Sequence, residues 1–84
     1  MEKITNEKLV ARFQGGDRDS LLMLWENNKG LVHRVVSPFM NSLEYDDLMQ
    51  EAFIGLSNAA NTYEPEGGCS FASFMSNHIK WELI

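Results

Sequence analysis

Residues 44–63 read EYDDLMQEAFIGLSNAANTY, and this stretch has the clearest helical pattern of the chain. Its apolar residues recur every three or four positions, which is the spacing of one face of an α-helix. They form a broad stripe that consists of Leu48, Met49, Ala52, Phe53, Leu56, Ala59, Ala60 and Tyr63. Glu44, Asp46 and Asp47 fall in the first turn, where the partial positive charge of a helix N-terminus favours carboxylates. The stretch therefore predicts a long amphipathic helix.

The same predicted helix has a second face that is mostly polar. Its members follow the spacing i, i+3, i+4, i+7 and i+11, and they are Asp47, Gln50, Glu51, Ile54 and Asn58. Composition alone favours a solvated surface for such a stripe, since charged and amide side chains are usually exposed. Ile54 favours a binding surface instead, because an exposed apolar residue among hydrogen-bonding groups is typical of protein interfaces. Both interpretations stay open on these residues alone.

Helix caps, glycines and prolines separate further helical segments on either side. Thr5 or Asn6 can cap a short first helix. A longer apolar run follows, which residues 27–30 can bend or break and which Pro38 should kink or end. Ser70 can cap the last helix, and no segment shows the alternation of a strand. We predict an all-α fold, a small helical bundle of three main helices plus a short N-terminal helix.

Length and composition admit one small domain with a modest core. The chain has 84 residues, of which 44% are hydrophobic. We expect the following residues to be largely buried: Leu48, Ala52, Phe53, Leu56, Val32, Val35, Val36 and Phe71. Cys69 is the only cysteine, so no internal disulfide can form, and no apolar run reaches the roughly 18 residues of a membrane span. We therefore expect a cytoplasmic protein without membrane association.

Charge is distributed unevenly along the chain, whose net charge is −5. Six of the seven lysines and arginines lie in the first 34 residues, and residues 41–79 hold six acids and no lysine or arginine. An acidic stretch favours a basic protein partner over the phosphate backbone of DNA. The histidines lack partners at metal-ligand spacing, and no phosphate-binding glycine motif occurs. We expect no metal, no cofactor and no catalytic residue, since the carboxylates of the predicted helix lie on an exposed face.

Two motifs in combination resemble a known family. Residues 47–56, DLMQEAFIGL, are similar to the D-L-x-Q-E-x-x-x-G-L signature in the second conserved region of bacterial RNA polymerase sigma factors. Residues 63–71, YEPEGGCSF, resemble the turn that follows in that family, with its aromatic residue, acid, glycine and phenylalanine. Residues 6–17 and 31–36 resemble the family's opening segment and the preceding helix, so the resemblance covers nearly the whole chain.

The resemblance implies a docking role for the polar face of the predicted helix. In sigma factors this helix binds a basic coiled coil of the polymerase β′ subunit. Carried over by position, Asp47, Gln50 and Glu51 would be the polar contacts. With the two other residues of the same predicted face, the predicted docking residues are Asp47, Gln50, Glu51, Ile54 and Asn58. Carboxylates suit such a partner because they pair with arginine through two charge-assisted hydrogen bonds. Gly55 is expected to let the helix pack closely against its neighbour.

The resemblance also implies a DNA-facing role for the last helix. In sigma factors this helix melts and reads promoter DNA, with aromatic side chains that stack on unpaired bases and basic residues that hold phosphate. The residues that stand at the DNA-facing positions of the family here are Phe74, Asn77, His78, Lys80 and Trp81. Phe71 and Ile79 are better explained as core, while Phe74 and Trp81 fit either role.

The chain departs from the family in this last helix and in the turn before it. Asn77 and His78 stand where the family has tandem tryptophans, and Gly67 stands where a lysine or arginine is usual. Lys80 is the only lysine or arginine in the last 50 residues. These departures lie in the segment that melts promoter DNA in the family, and none of them lies in the docking motif.

We interpret the chain as a transcription-initiation factor domain and not as an enzyme. It would bind core polymerase, would contact promoter DNA only in the holoenzyme, and could meet an anti-sigma factor. The resemblance implies one domain over residues 1–84, cut short within the promoter-reading helix and without the family's C-terminal helix-turn-helix domain. Two rivals remain. The scarcity of basic residues after Arg34 favours a helical protein-interaction module without a DNA role, and the acidic balance disfavours a compact DNA-binding regulator.

Overall fold

The computed structural model describes residues 4–84, and no residue of this range lies in a strand. Residues 4–84 form five α-helices, which are α1 (Asn6–Gln14), α2 (Asp19–Asn27), α3 (Lys29–Val36), α4 (Tyr45–Thr62) and α5 (Phe71–Leu83). Short 3-10 turns over Ser37–Phe39 and Pro65–Gly67 lie between α3 and α4 and between α4 and α5. The predicted all-α fold is confirmed. Within the described range no helix is both long enough and apolar enough to cross a membrane.

Three helix ends lie where the local signals predict. The Thr5 hydroxyl oxygen accepts a hydrogen bond from the Lys8 backbone N–H at 3.2 Å and so caps α1. Ser70 caps α5 in the same way, accepting from the Ser73 N–H at 3.3 Å. Pro38 lies in the 3-10 turn that follows α3, because proline lacks the N–H that a continuing α-helix needs.

The second predicted segment breaks at Asn28, so it forms two helices, α2 and α3. The buried Asn28 side chain donates hydrogen bonds to the Leu24 carbonyl at 2.7 Å and to Asn6 Oδ1 at 3.0 Å. Asn6 Nδ2 donates back to Asn28 Oδ1 at 3.2 Å. A side chain that binds the backbone competes with the helical hydrogen-bond ladder. The pair of amides also attaches this junction to the start of α1.

Every α-helix contributes to one core. Its buried members are Leu9, Val10, Leu24, Val32, Val35, Val36, Leu48, Ala52, Leu56, Ala59, Ala60, Tyr63, Phe71, Met75 and Ile79. Seven of the eight residues predicted to be buried are among them. The prediction for Phe53 was wrong, because this residue is only partly buried. It lies at the edge of the α4 stripe that faces α2, where its ring packs edge-on against Trp25 at a centroid distance of 5.2 Å.

The most extensive contact between two helices joins α4 to α5, and Gly55 marks a close approach within it. A β-carbon at Gly55 would lie 2.8 Å from Ile79 Cα and 3.1 Å from Ile79 N, which are backbone atoms of α5. Backbone atoms in a packed core cannot move aside as the end of a flexible side chain can. The predicted packing role of Gly55 is confirmed, and this contact fixes how α4 and α5 lie against each other.

We predict that Gly55→Ala destabilises the domain by about 1–3 kcal/mol, the usual cost of overpacking a core. The added methyl group must displace the α5 backbone, and this outweighs the roughly 1 kcal/mol by which alanine favours a helix over glycine. Gly30→Ala is the matched control, since Gly30 lies in α3 and a β-carbon there would meet no other part of residues 4–84 within 4 Å, its chain neighbours and the adjacent backbone of α3 aside. Urea unfolding followed by circular dichroism should find Gly30→Ala at least as stable as the parent chain. Equal stability of the two variants would contradict the close approach.

Candidate functional site

One face of α4 is polar and turned to solvent. Asp47, Gln50, Ile54 and Asn58 are exposed, and Glu51 is partly buried at the margin. Ile54 is 46% exposed although its neighbours on this face are polar. The side chains of Asp47, Gln50 and Glu51 make no hydrogen bond or ion pair with another residue of 4–84. The structure thus brings the five predicted docking residues to one face, which we call the α4 face.

Asn58 differs from the rest of the α4 face because it has a partner on α5. Its Nδ2 donates to Glu82 Oε1 at 3.2 Å, across the contact between the two helices. Both side chains are exposed, so water competes for this hydrogen bond. Asn58 therefore marks the place where the α4 face meets the C-terminal end of α5.

A row of rings extends from the core along α5 to the surface. This aromatic row consists of Tyr63, Phe74, His78 and Trp81. The successive ring centroids are 5.4 Å, 4.6 Å and 5.1 Å apart. Tyr63 is buried at one end, and Trp81 is 64% exposed at the other. The row therefore offers its outermost ring to a partner and is held in place at its base.

The other predicted DNA-facing residues lie beside the aromatic row. Asn77 and Lys80 are exposed on the adjoining strip of α5. Phe71 and Ile79 are fully buried, as the core interpretation predicts. Phe74 is partly buried and packs against the core, so it combines a packing role with a place in the row. One side of α5 therefore carries all five residues that the resemblance assigns to DNA.

Tyr63 fixes the turn between α4 and α5. Its phenol donates to the Cys69 carbonyl at 2.8 Å, and its ring packs edge-on against Phe71 at 5.4 Å. Gly68 has a φ of 87°, a left-handed conformation that favours glycine. Burial raises the pKa of Tyr63 above its ordinary value of 10.0, and the charges of Glu7 and Cys69 raise it further. The phenol therefore keeps its proton at neutral pH and remains a donor.

Two residues of α1 contact the two helices of the site, although no sequence pattern indicates this role. Glu7 Oε2 accepts a hydrogen bond from the Phe71 backbone N–H at 2.9 Å. Gln14 Nε2 donates to the carbonyls of Ala60 at 2.9 Å and Tyr63 at 3.0 Å. Glu7 and Phe71 are 64 positions apart, so no local spacing relates them. An acid in the first turn of a helix is readily explained by the dipole of its own helix, which conceals such a role.

Shallow hollows lie next to these surfaces. One hollow of about 430 Å³ lies beside α5 and is lined by Leu31, Ala72, Ser73, Ser76, Asn77 and Lys80. Another of about 600 Å³ lies between α2 and α4, with the exposed Leu22 in its lining. Among residues 4–84 no group of three or more histidine, cysteine or acidic side chains could hold a metal ion. These features suit contacts with macromolecules better than enclosure of a small substrate.

A family model described as Sigma-70 region 2 matches residues 24–82. The match begins in the second half of α2 and ends within α5, so it includes the α4 face and the aromatic row, whereas α1 lies outside it. No solved structure matches the chain.

We predict that the domain loses stability as pH rises above about 10, and that Tyr63 causes part of this loss. Because its folded-state pKa is raised, the folded chain keeps the Tyr63 proton at a pH where the unfolded chain has released it. The resulting stabilisation is present below the unfolded-state pKa and is lost as pH rises through the folded-state pKa.

Urea unfolding between about pH 8 and pH 11 checks this prediction. The loss should be steeper in the parent chain than in Tyr63→Phe, which has no phenol to titrate. Tyr45→Phe is the control, since Tyr45 is 46% exposed and should leave the steep loss in place. Parallel curves for the parent chain and Tyr63→Phe would rule out the contribution of Tyr63.

Proposed function

The chain belongs to the Sigma-70 region 2 family, and from this premise we propose that it docks on core RNA polymerase through the α4 face and presents α5 to promoter DNA. Membership makes it a transcription-initiation domain that takes part in binding core polymerase and in promoter melting, and not an enzyme. The partner that we propose for the α4 face is the basic coiled coil of the β′ subunit. The compartment that we propose is the cytoplasm, where this polymerase acts.

The observation that carries the docking proposal is the set of unpartnered polar side chains around Ile54. Asp47, Gln50 and Glu51 have no partner among residues 4–84, so docking there breaks no existing bond. Their desolvation on binding is unfavourable unless the partner offers donors of matching geometry, which arginine provides for carboxylates. Ile54 supplies an apolar centre of the kind that interfaces use.

The charge distribution supports a basic partner for α4. Residues 41–79 carry six acids and no lysine or arginine, and Asp46 and Asp47 both fall in the first turn of α4. A surface of this sign repels the phosphates of DNA and attracts a basic protein surface. The α4 face therefore suits the polymerase, which leaves α5 for the promoter.

α5 offers DNA a stacking surface with little charge. Trp81 is supported on one side by His78 and is otherwise largely open to solvent. Such a ring can stack on an unpaired base, which is worth about 1–3 kcal/mol per base. Lys80 can meet one phosphate, and a single phosphate contact gives little affinity for duplex DNA. We infer that α5 contacts opened, single-stranded promoter DNA, and that docking on polymerase brings the two together.

Asp47→Ala and Glu51→Arg are each expected to weaken binding to core polymerase strongly while leaving helix content unchanged. Removing one member of a buried charge pair costs about 2–5 kcal/mol, which corresponds to roughly a thirtyfold loss of affinity or more. Isothermal titration calorimetry measures the affinity, and circular dichroism checks the helices. Glu66→Ala is the control, because it removes an exposed acid that lies off the α4 face. Parent-like binding by both variants would exclude the α4 face as the docking surface.

The free chain is expected to show no measurable duplex binding at physiological salt, because its net charge is −5. With core polymerase present, a single-stranded promoter oligonucleotide should bind, and Trp81→Ala should weaken it by about 1–3 kcal/mol. Fluorescence titrations with single- and double-stranded oligonucleotides, without and then with core enzyme, measure both effects. Leu22→Ala is the control, since Leu22 is 58% exposed on α2 and lies off the aromatic row.

The other outcomes of this titration separate the rival functions. Tight duplex binding by the free chain would support a DNA-binding regulator. Failure of the parent chain to bind core polymerase at all would support a helical protein-interaction module without a DNA role. DNA binding that is indifferent to Phe74→Ala and Trp81→Ala together would remove the stacking role and leave docking in place.

A further inference from the structure

We propose that Glu7 and Gln14 make α1 a positioning element for α5, because together they hold the end of α4, the connecting turn and the start of α5 in one arrangement. The part of this inference that concerns DNA rests on the proposed function, since it takes α5 to be the helix offered to the promoter. The part that concerns the position of α5 rests on contacts within the chain alone.

Glu7 binds the first residue of α5. Its Oε2 accepts from the Phe71 N–H at 2.9 Å, while Ser70 accepts from the Ser73 N–H further along the same turn. The first N–H groups of a helix have no partner within the helix, and a carboxylate there also meets the partial positive charge of the helix end. A cap normally comes from the residue just before the helix. Here a second cap comes from another helix, so α5 loses it if its start moves relative to α1.

Gln14 binds the C-terminal end of a helix, α4, whereas Glu7 binds the N-terminal end of α5. Its Nε2 donates to the Ala60 carbonyl, one of the last carbonyls of α4, and to the Tyr63 carbonyl just beyond the helix. The last carbonyls of a helix lack intrahelical partners, so an amide donor satisfies them. One side chain therefore joins the end of α4 to the beginning of the turn.

α1 spans the distance between these two helix ends. Glu7 and Gln14 are seven positions apart, which places them on one face of α1 and about 10 Å apart along its axis. Leu9 and Val10 are buried in the core and anchor α1 itself. Both ends of the turn that connects α4 to α5 are thus attached to one helix.

Tyr63 connects these contacts to the aromatic row. Its carbonyl accepts from Gln14, its phenol donates to the Cys69 carbonyl, and its ring packs against Phe74. A shift of α1 relative to α4 therefore moves the ring at the base of the row. The family match begins at residue 24, so membership by itself does not imply these contacts of α1.

The first part of the test uses the free chain and the variants Glu7→Ala, Glu7→Gln and Gln14→Ala, with Glu66→Ala as the control that removes an exposed acid from the turn before α5. Hydrogen exchange at the Phe71 amide should be about five- to tenfold faster in Glu7→Ala, as for the loss of one helix cap. Glu7→Gln should exchange more nearly like the parent chain, because its amide oxygen can still accept. Circular dichroism confirms that each variant is folded under the conditions used.

Glu7→Gln gives a second, spectroscopic readout that a general loss of stability does not explain. It should lower the pKa of Tyr63 in an absorbance titration, because it removes a negative charge that helps to raise that pKa. Glu66→Ala should change the pKa of Tyr63 less. Parent-like exchange at Phe71 in Glu7→Ala would overturn the positioning of α5 by α1.

The second part measures binding in the complex with core polymerase. Glu7→Ala and Gln14→Ala should bind core as the parent chain does, but they should bind a single-stranded promoter oligonucleotide severalfold more weakly. Glu7→Gln should restore most of this loss. Undiminished DNA affinity in both alanine variants would overturn the consequence for DNA. If the parent chain itself does not bind core, the proposed function fails, and the exchange and titration results still decide the position of α5.

Discussion

The backbones of α4 and α5 approach each other at Gly55 and Ile79 so closely that one added methyl group would lie 2.8 Å from the α5 backbone. Contacts between backbones set the relative position of two helices more firmly than contacts between flexible side chains, which can adopt other rotamers. The α4 face and the aromatic row lie on these two helices. A partner that holds α4 therefore also determines where the aromatic row lies, without any further conformational step.

The features that the sequence predicts are those whose signals are local. The caps at Thr5 and Ser70 and the long helix α4 each depend on residues within a few positions of one another, and periodicity places side chains on the correct face. Periodicity does not tell which neighbour covers a side chain, which is why Phe53 was placed in the core although it lies at the edge of the stripe. It also gives no information on Glu7 and Gln14, whose partners lie far along the chain.

The same limits apply to the candidate site. Helical spacing brings the five residues of the α4 face together, and it places Phe74, His78 and Trp81 along one side of α5. The contact of Phe74 with Tyr63 at the base of the row depends on the turn between the helices, whose path is fixed by tertiary hydrogen bonds. The resemblance to sigma factors supplied the assignment of the two surfaces to two partners, since a polar stripe alone is more often a solvated surface.

Two kinds of contact join α4 to α5, an exposed hydrogen bond and core packing, and they contribute differently to the free energy of unfolding. This difference ranks the residues of the α4 face. The exposed hydrogen bond between Asn58 and Glu82 contributes at most about 0.5–1.5 kcal/mol, whereas a buried side chain such as Phe71 contributes about 1.5–3 kcal/mol. Packing therefore sets the geometry, and the hydrogen bond can open at small cost. A partner that bound Asn58 would have to replace this hydrogen bond, whereas Asp47 has no partner among residues 4–84 to give up. Docking on Asp47 therefore disturbs no contact between α4 and α5, and this ranks Asp47 ahead of Asn58 in the proposed docking face.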